Sequence, residues 1–222
     1  MKLPTGRIVF SLFGIMLCLA LIKCSEPLHA DDVFNRLIAE EKLMGPSGGV
    51  GCLIDFNGML VAGGSFYWAG AMRAREIVGW NGSNWVGFGG GVDFNVLDLC
   101  TFDNQLVAAG GYPGWTPRGD PIAAWNGSHW VRLGSLAKDL GLCESPVLWT
   151  MTTFQGKLFV GGDILAAWDG NGWQSVQSKQ TQFGNVQALT VYDGKLYAGR
   201  NIDSDSSTLD VWNGTTWSST PI

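Results

Sequence analysis

Histidine is almost missing: the 222 residues contain only His29 and His129. If the N-terminal segment is cleaved, His129 alone remains. One histidine cannot build a multi-histidine zinc or copper centre within one chain, so neither a metal nor a cofactor is expected. A Ser-His-Asp triad would have to use His129, which falls in the short turn Asn126-Gly127-Ser128-His129 and reads as a solvated turn residue. Positive charge is also in short supply. Lys and Arg number 14 against 19 Asp and Glu, a net charge of -5, which argues against nucleic acid or anionic membrane as partner. Cysteine is too sparse for a disulfide scaffold, since only Cys52, Cys100 and Cys143 lie beyond residue 30. Three allow at most one intramolecular bridge, and spacing does not choose the pair.

Long apolar runs are absent except one. Ile8 to Ile22 is fifteen residues, short of the ~20 that span a bilayer. Lys2 and Arg7 precede it and a polar stretch ending Leu28-His29-Ala30 follows. That order is a secretory signal peptide over residues 1–30, with cleavage after Ala30. Losing Lys2, Arg7, Lys23 and Glu26 leaves 11 basic and 18 acidic residues. The expected location is extracytoplasmic: secreted, periplasmic or cell-surface. Residues 31–49 read as a short helix capped by Asp31 or Asp32, then a Pro46-Ser47-Gly48-Gly49 linker.

Glycine, 32 residues, and tryptophan, 11, are in excess, and a repeat explains both. Trp80-Asn81-Gly82-Ser83-Asn84-Trp85 recurs as Trp125 to Trp130, Trp168 to Trp173 and Trp212 to Trp217. The first tryptophans lie 45, 43 and 44 residues apart. Upstream of each hexamer stand an apolar segment (Val50, Leu53 and Phe56 in the first unit), a turn pair (Asn57-Gly58) and a strand closing in small residues (Leu60 to Gly64). Turn pairs such as Asn-Gly supply the positive φ of type I′ hairpins. Each unit is therefore a four-stranded antiparallel sheet, with hairpin turns at the first pair and at the Asn-Gly or Asp-Gly of the hexamer. Four-stranded repeats of ~40–50 residues are the period of propeller blades. Residues 50–222 are expected to be all-β, a β-propeller of about four blades. It would be a closed small ring or an open arc of a larger one, the closed disc being preferred. Contact between the Leu60/Trp80 and Leu196/Trp212 regions decides between them.

A glycine doublet, an apolar strand and paired aromatics around a turn resemble the kelch repeat, found in the central domain of galactose oxidase. The units are more similar to secreted and cell-surface propeller repeats, such as those of fungal cortical polarity markers. The resemblance implies the fold. It does not imply the oxidase's copper site, whose ligands include histidines.

In such a blade the tight turns share one face of the disc, and the longer two-to-three and four-to-one connections share the other. Loops on a rigid scaffold carry sites. The long loops hold Trp68, Arg73, Arg75, Tyr112, Trp115, Arg118 and Asp120, aromatic and charged groups suited to sugar stacking or a protein hot spot. The alternative is that these rings fill gaps between blades. The favoured function is a non-enzymatic, exported binding module for a protein or glycan. A propeller hydrolase or lyase would instead gather carboxylates such as Asp93, Asp120, Asp139 and Asp163. A third reading is a structural part of a larger propeller assembly, self-associating through its end blades. Asn81, Asn126 and Asn213 are N-x-S/T sequons, but the turn already demands that asparagine. Asn201, Asp203 and Asp205 alternate like a calcium loop yet lack its glycine and its twelfth-position glutamate.

Overall fold

The structure, a computed structural model, describes residues 45–112, 119–176, 185–201 and 206–221. The leader, the helix expected over 31–44, Trp115, Arg118, Asp203 and Asp205 lie outside the described residues. The chain is a β-propeller of four four-stranded antiparallel blades. Blade one comprises β1 (Gly49–Phe56), β2 (Met59–Ser65), β5 (Ile77–Trp80) and β6 (Trp85–Gly87), with a small ribbon of β3 (Trp68–Ala69) and β4 (Met72–Arg73) in its long loop. Blade two is β7 (Asn95–Phe102), β8 (Gln105–Gly111), β9 (Ile122–Trp125) and β10 (Trp130–Arg132). A single turn of helix, α1 (Leu136–Leu140), leads to blade three: β11 (Leu148–Phe154), β12 (Lys157–Gly162), β13 (Leu165–Trp168) and β14 (Trp173–Ser175). Blade four is β15 (Val186–Tyr192), β16 (Lys195–Asn201), β17 (Ser207–Trp212) and β18 (Trp217–Pro221).

The first hairpin of each blade follows its turn chemistry. Asn57-Gly58, Asp103-Asn104, Gln155-Gly156 and Asp193-Gly194 all have positive φ at both positions, the type I′ geometry that matches strand twist. The hexamer hairpins differ from expectation. Their glycines have positive φ, but Asn81, Asn126, Asp169 and Asn213 do not. The first and second tryptophans pair across strands and leave a four-residue loop. The Asx side chain closes it. Asn81 Oδ1 accepts from the Ser83 and Asn84 N–H groups at 3.0 and 2.8 Å, and the other three turns repeat this. An oxygen acceptor is all the turn needs, so Asp169 substitutes for asparagine.

The core lies between blades. One apolar cluster joins blades one and two, a second joins two and three, and a third joins three and four. A residue of each inner strand seats against the preceding blade. Val96 fills the space above Gly63, and Val186 that above Gly161; a Cβ on Gly161 would stand 2.6 Å from Val186 Cγ1. The next glycine of each doublet (Gly64, Gly110, Gly162) serves its own blade, because a Cβ there would strike the backbone of strand one. The second tryptophan of each hexamer adds a polar link. Trp130 Nε1 donates to the Phe88 carbonyl at 3.0 Å, Trp173 Nε1 to Leu133 at 2.6 Å and Trp217 Nε1 to Val176 at 2.6 Å.

The ring is open, against the preferred closed disc. Among the described residues no apolar cluster joins blade one to blade four. Leu196 is fully buried, but against blade three, while Leu60 is half exposed. Four tightly repeated interfaces would close only if each turned the chain a quarter of a circle. The outer part of blade one's free face is covered instead by its own ribbon, with Phe66, Ala69 and Ala74 on Ala62 and Val78.

Candidate functional site

Connections on the long-loop face of blades one and two meet in a cleft of about 180 Å³, lined by Arg75, Gly91, Val92, Asp93, Phe94, Ala123, Trp130 and Arg132. Arg75 comes from the two-to-three loop of blade one. Residues 91–94 come from the connection between the blades. Tyr112 and Asp120, from the two-to-three loop of blade two, reach the cleft from beneath through Arg132.

Arg132 projects from β10 and is held on every side. Its Nη2 donates to Asp93 Oδ1 at 2.6 Å and to the Tyr112 hydroxyl at 3.0 Å, its Nη1 donates to the Asp120 carbonyl, and its guanidinium lies 5.3 Å from the centre of the Phe94 ring. Guanidinium gives a planar fork of donors and also stacks on aromatic faces, so these partners fix its orientation. Tyr112 is pushed up from the usual phenol pKa, chiefly by burial, with Asp93 and Asp120 adding to this and Arg132 opposing it.

Arg75 contrasts with Arg132. Its side chain is exposed and makes no ion pair among the described residues. Its backbone is strained: Arg75 and Glu76 have φ of 44° and 71°, a region that non-glycine residues occupy at a cost of order 1–3 kcal/mol and that clusters at ligand sites. Two contacts impose the conformation. Glu76 is buried, and its carboxylate accepts the Phe66 N–H at 3.0 Å; burial raises its pKa, with the Phe66 bond opposing. The Arg75 carbonyl accepts the Val92 N–H at 3.2 Å, and Gly91, at φ 81°, packs so close that a Cβ would strike the Ala74 and Arg75 carbonyls.

Of the residues singled out in the sequence, Arg75 lines the cleft, and Tyr112 and Asp120 sit on Arg132. Trp68 and Arg73 face each other across the ribbon, exposed, outside the cleft lining. The Trp68 N–H is taken by Ser47 Oγ at 3.1 Å. Phe66 is core. Arg132 and Phe94 were not singled out. The only signal for Arg132 was its place two residues after a hexamer, where the other units carry Gly87, Ser175 and Ser219.

The four carboxylates considered for hydrolysis are each engaged in structure. Asp93 holds Arg132. Asp120 Oδ1 accepts the Ala137 N–H in the first turn of α1 at 3.0 Å, Asp139 accepts Trp173 N–H at 3.2 Å, and Asp163 accepts Val147 N–H at 2.8 Å. Cys52, Cys100 and Cys143 are free thiols. Among the described residues no group of three or more His, Cys, Asp or Glu is placed to hold a metal ion.

No family model matches the sequence, and no curated protein matches it. Among solved structures, the chain is similar to the computationally designed Ika4 protein, known from a crystal structure. The two are 18% identical with a TM-score of 0.49, over 77% of this chain and 96% of the designed one.

Proposed function

We propose that the protein is an exported, non-enzymatic β-propeller module that binds a protein or glycan with the long-loop face of its first two blades, through an anionic group taken by Arg75. The observation that carries this reading is the contrast between the two arginines in one cleft. Arg132 is saturated by Asp93, Tyr112 and the Asp120 carbonyl. Arg75 is exposed and unpaired among the described residues, on a backbone held in a strained conformation. A guanidinium with free donors binds carboxylate, sulfate or phosphate oxygens in a bidentate manner. Trp130 beside it, partly exposed, supplies ring surface of the kind that stacks on sugars. The engagement of Asp93, Asp120, Asp139 and Asp163 in structural hydrogen bonds supports binding over hydrolysis. Export rests on the order of charge, apolar run and Ala30 at the N-terminus.

The test is an array of glycans, uronic- and sialic-acid-bearing ones included, together with acidic peptides. Wild type and Arg75→Ala are probed in parallel. The expectation is a charged ligand whose affinity falls at least about tenfold in the variant, the share of one charge-assisted hydrogen-bond pair. Binding that is indifferent to Arg75→Ala, or confined to neutral ligands, overturns the proposal. Mature protein from the secreted fraction should begin at Asp31.

A further inference from the structure

Along their inner strands, the two ends of the arc carry the two halves of the interface that the chain uses three times internally. On the first blade the half that would face a preceding blade is uncovered along its inner strands. Val50 is 46% exposed and Leu53 60%, whereas their counterparts Val96 and Leu99 are 0% and 7%, and Val186 and Leu189 are 2% and 9%. Leu60 is 49% exposed, and its counterparts Leu106, Leu158 and Leu196 are 0%. The ribbon covers the outer part of the blade, at Ala62, Val78 and Trp85, but stops short of these three.

On the fourth blade the opposite face is open. Tyr192, in the place held by buried Phe56 and Phe154, is exposed. Gly199 stands where Gly63 and Gly161 receive the valine of the following blade, and among the described residues a Cβ there would meet only the Ala188 Cβ, at 3.8 Å. The chain keeps a glycine at a seat that no described residue fills, and keeps at Val50 the valine that would fill such a seat.

From this we infer that two copies associate head to tail, the fourth blade of each seated on the first blade of the other, into one eight-bladed ring. A second copy is the occupant because the two uncovered faces complement each other and not themselves. Val50 fits Gly199 as Val96 fits Gly63. A heterologous contact of this kind either closes into a ring or propagates as a filament. Two arcs of four blades close at eight, within the range that propellers adopt. The inference is independent of the ligand assigned to the Arg75 cleft.

The first measurement is the native mass of the full chain, expressed with its own N-terminus, at tens of micromolar. A two-chain particle is expected; a monomer, or an assembly of any other number, overturns the inference. The second uses two chains in a Cys143→Ser background, one carrying Val50→Cys and the other Gly199→Cys. Both positions are open in the single chain, so neither change disturbs its packing. Under mild oxidation the mixture should give a covalent two-chain product, and neither chain alone should. A product from either chain alone would mean a face-to-face dimer. No product in the mixture would mean that these faces do not meet. Both results reject the head-to-tail ring.

Discussion

Replacing Gly161 by alanine tests whether the repeat's glycine is a seat for the next blade. The new Cβ would lie 2.6 Å from Val186 Cγ1 and 3.0 Å from both Val186 Cβ and Thr150 Cγ2. Val186 cannot simply turn away, because it is buried in the cluster shared by blades three and four. Overpacking of a filled interface costs about 1–3 kcal/mol. Stiffening the unfolded chain by Gly→Ala returns roughly 0.4–1 kcal/mol. A net loss of about 1–2 kcal/mol is expected, which for a domain of this size lowers Tm by about 2–8 °C. Val186→Ala removes the obstructing methyls and by itself costs about 2 kcal/mol in lost burial and cavity. In the double variant the closest collision, with Cγ1, is gone and only the two 3.0 Å approaches remain, so its loss should be smaller than the sum of the two singles by about 1 kcal/mol. Urea unfolding followed by tryptophan fluorescence reads all four stabilities. Additive losses, or a Gly161→Ala chain as stable as wild type, would show that Gly161 is not a seat and would remove the packing argument for Gly199 as well.

Two further outcomes follow from the buried titratable groups. Burial, with the Asp98 carboxylate nearby, pushes the Cys52 thiol up to about 12 and the Cys100 thiol to about 11, whereas Cys143 is exposed; an aromatic disulfide reagent at pH 8 should therefore label Cys143 alone of these three in the folded chain and all three in urea, and fast labelling of Cys52 or Cys100 in the folded chain would contradict the packing. Burial also raises the Asp98 carboxyl pKa, although the Met151 and Leu99 N–H groups, at 2.5 and 2.8 Å, pull it back. The folded chain thus holds this proton more tightly than the unfolded chain. Asp98 favours folding most when protonated, and that advantage is lost as pH rises from the unfolded carboxyl value near 4 through the raised folded value. Asp98→Asn, which keeps an oxygen acceptor, should flatten the fall in urea midpoint over that window, and an unchanged slope would refute the assignment.

The blades were legible because their signals are local. A turn pair sets two φ angles, alternation sets which side of a strand is apolar, and four copies of the tryptophan hexamer set the period. Even the departure in the hexamer turn is local: Asx oxygens bonded to the next N–H groups do the work assigned to backbone φ. The long-loop face followed from strand direction alone. The cleft on it was only half visible. Arg75, Tyr112 and Asp120 stood out by composition, but Arg132 sits inside a strand, and what makes it a hub is three partners 39, 20 and 12 residues away in the chain. Closure was least legible of all. The repeat specifies that each blade packs on the next, yet the rotation accumulated per blade is a sum over side-chain volumes at three interfaces, and no single residue encodes it. Tertiary packing decided that the arc stays open, leaving Val50, Leu53 and Leu60 uncovered at one end and Gly199 unfilled at the other. Short-range chemistry is written residue by residue, whereas the angle between blades belongs to all the contacts together.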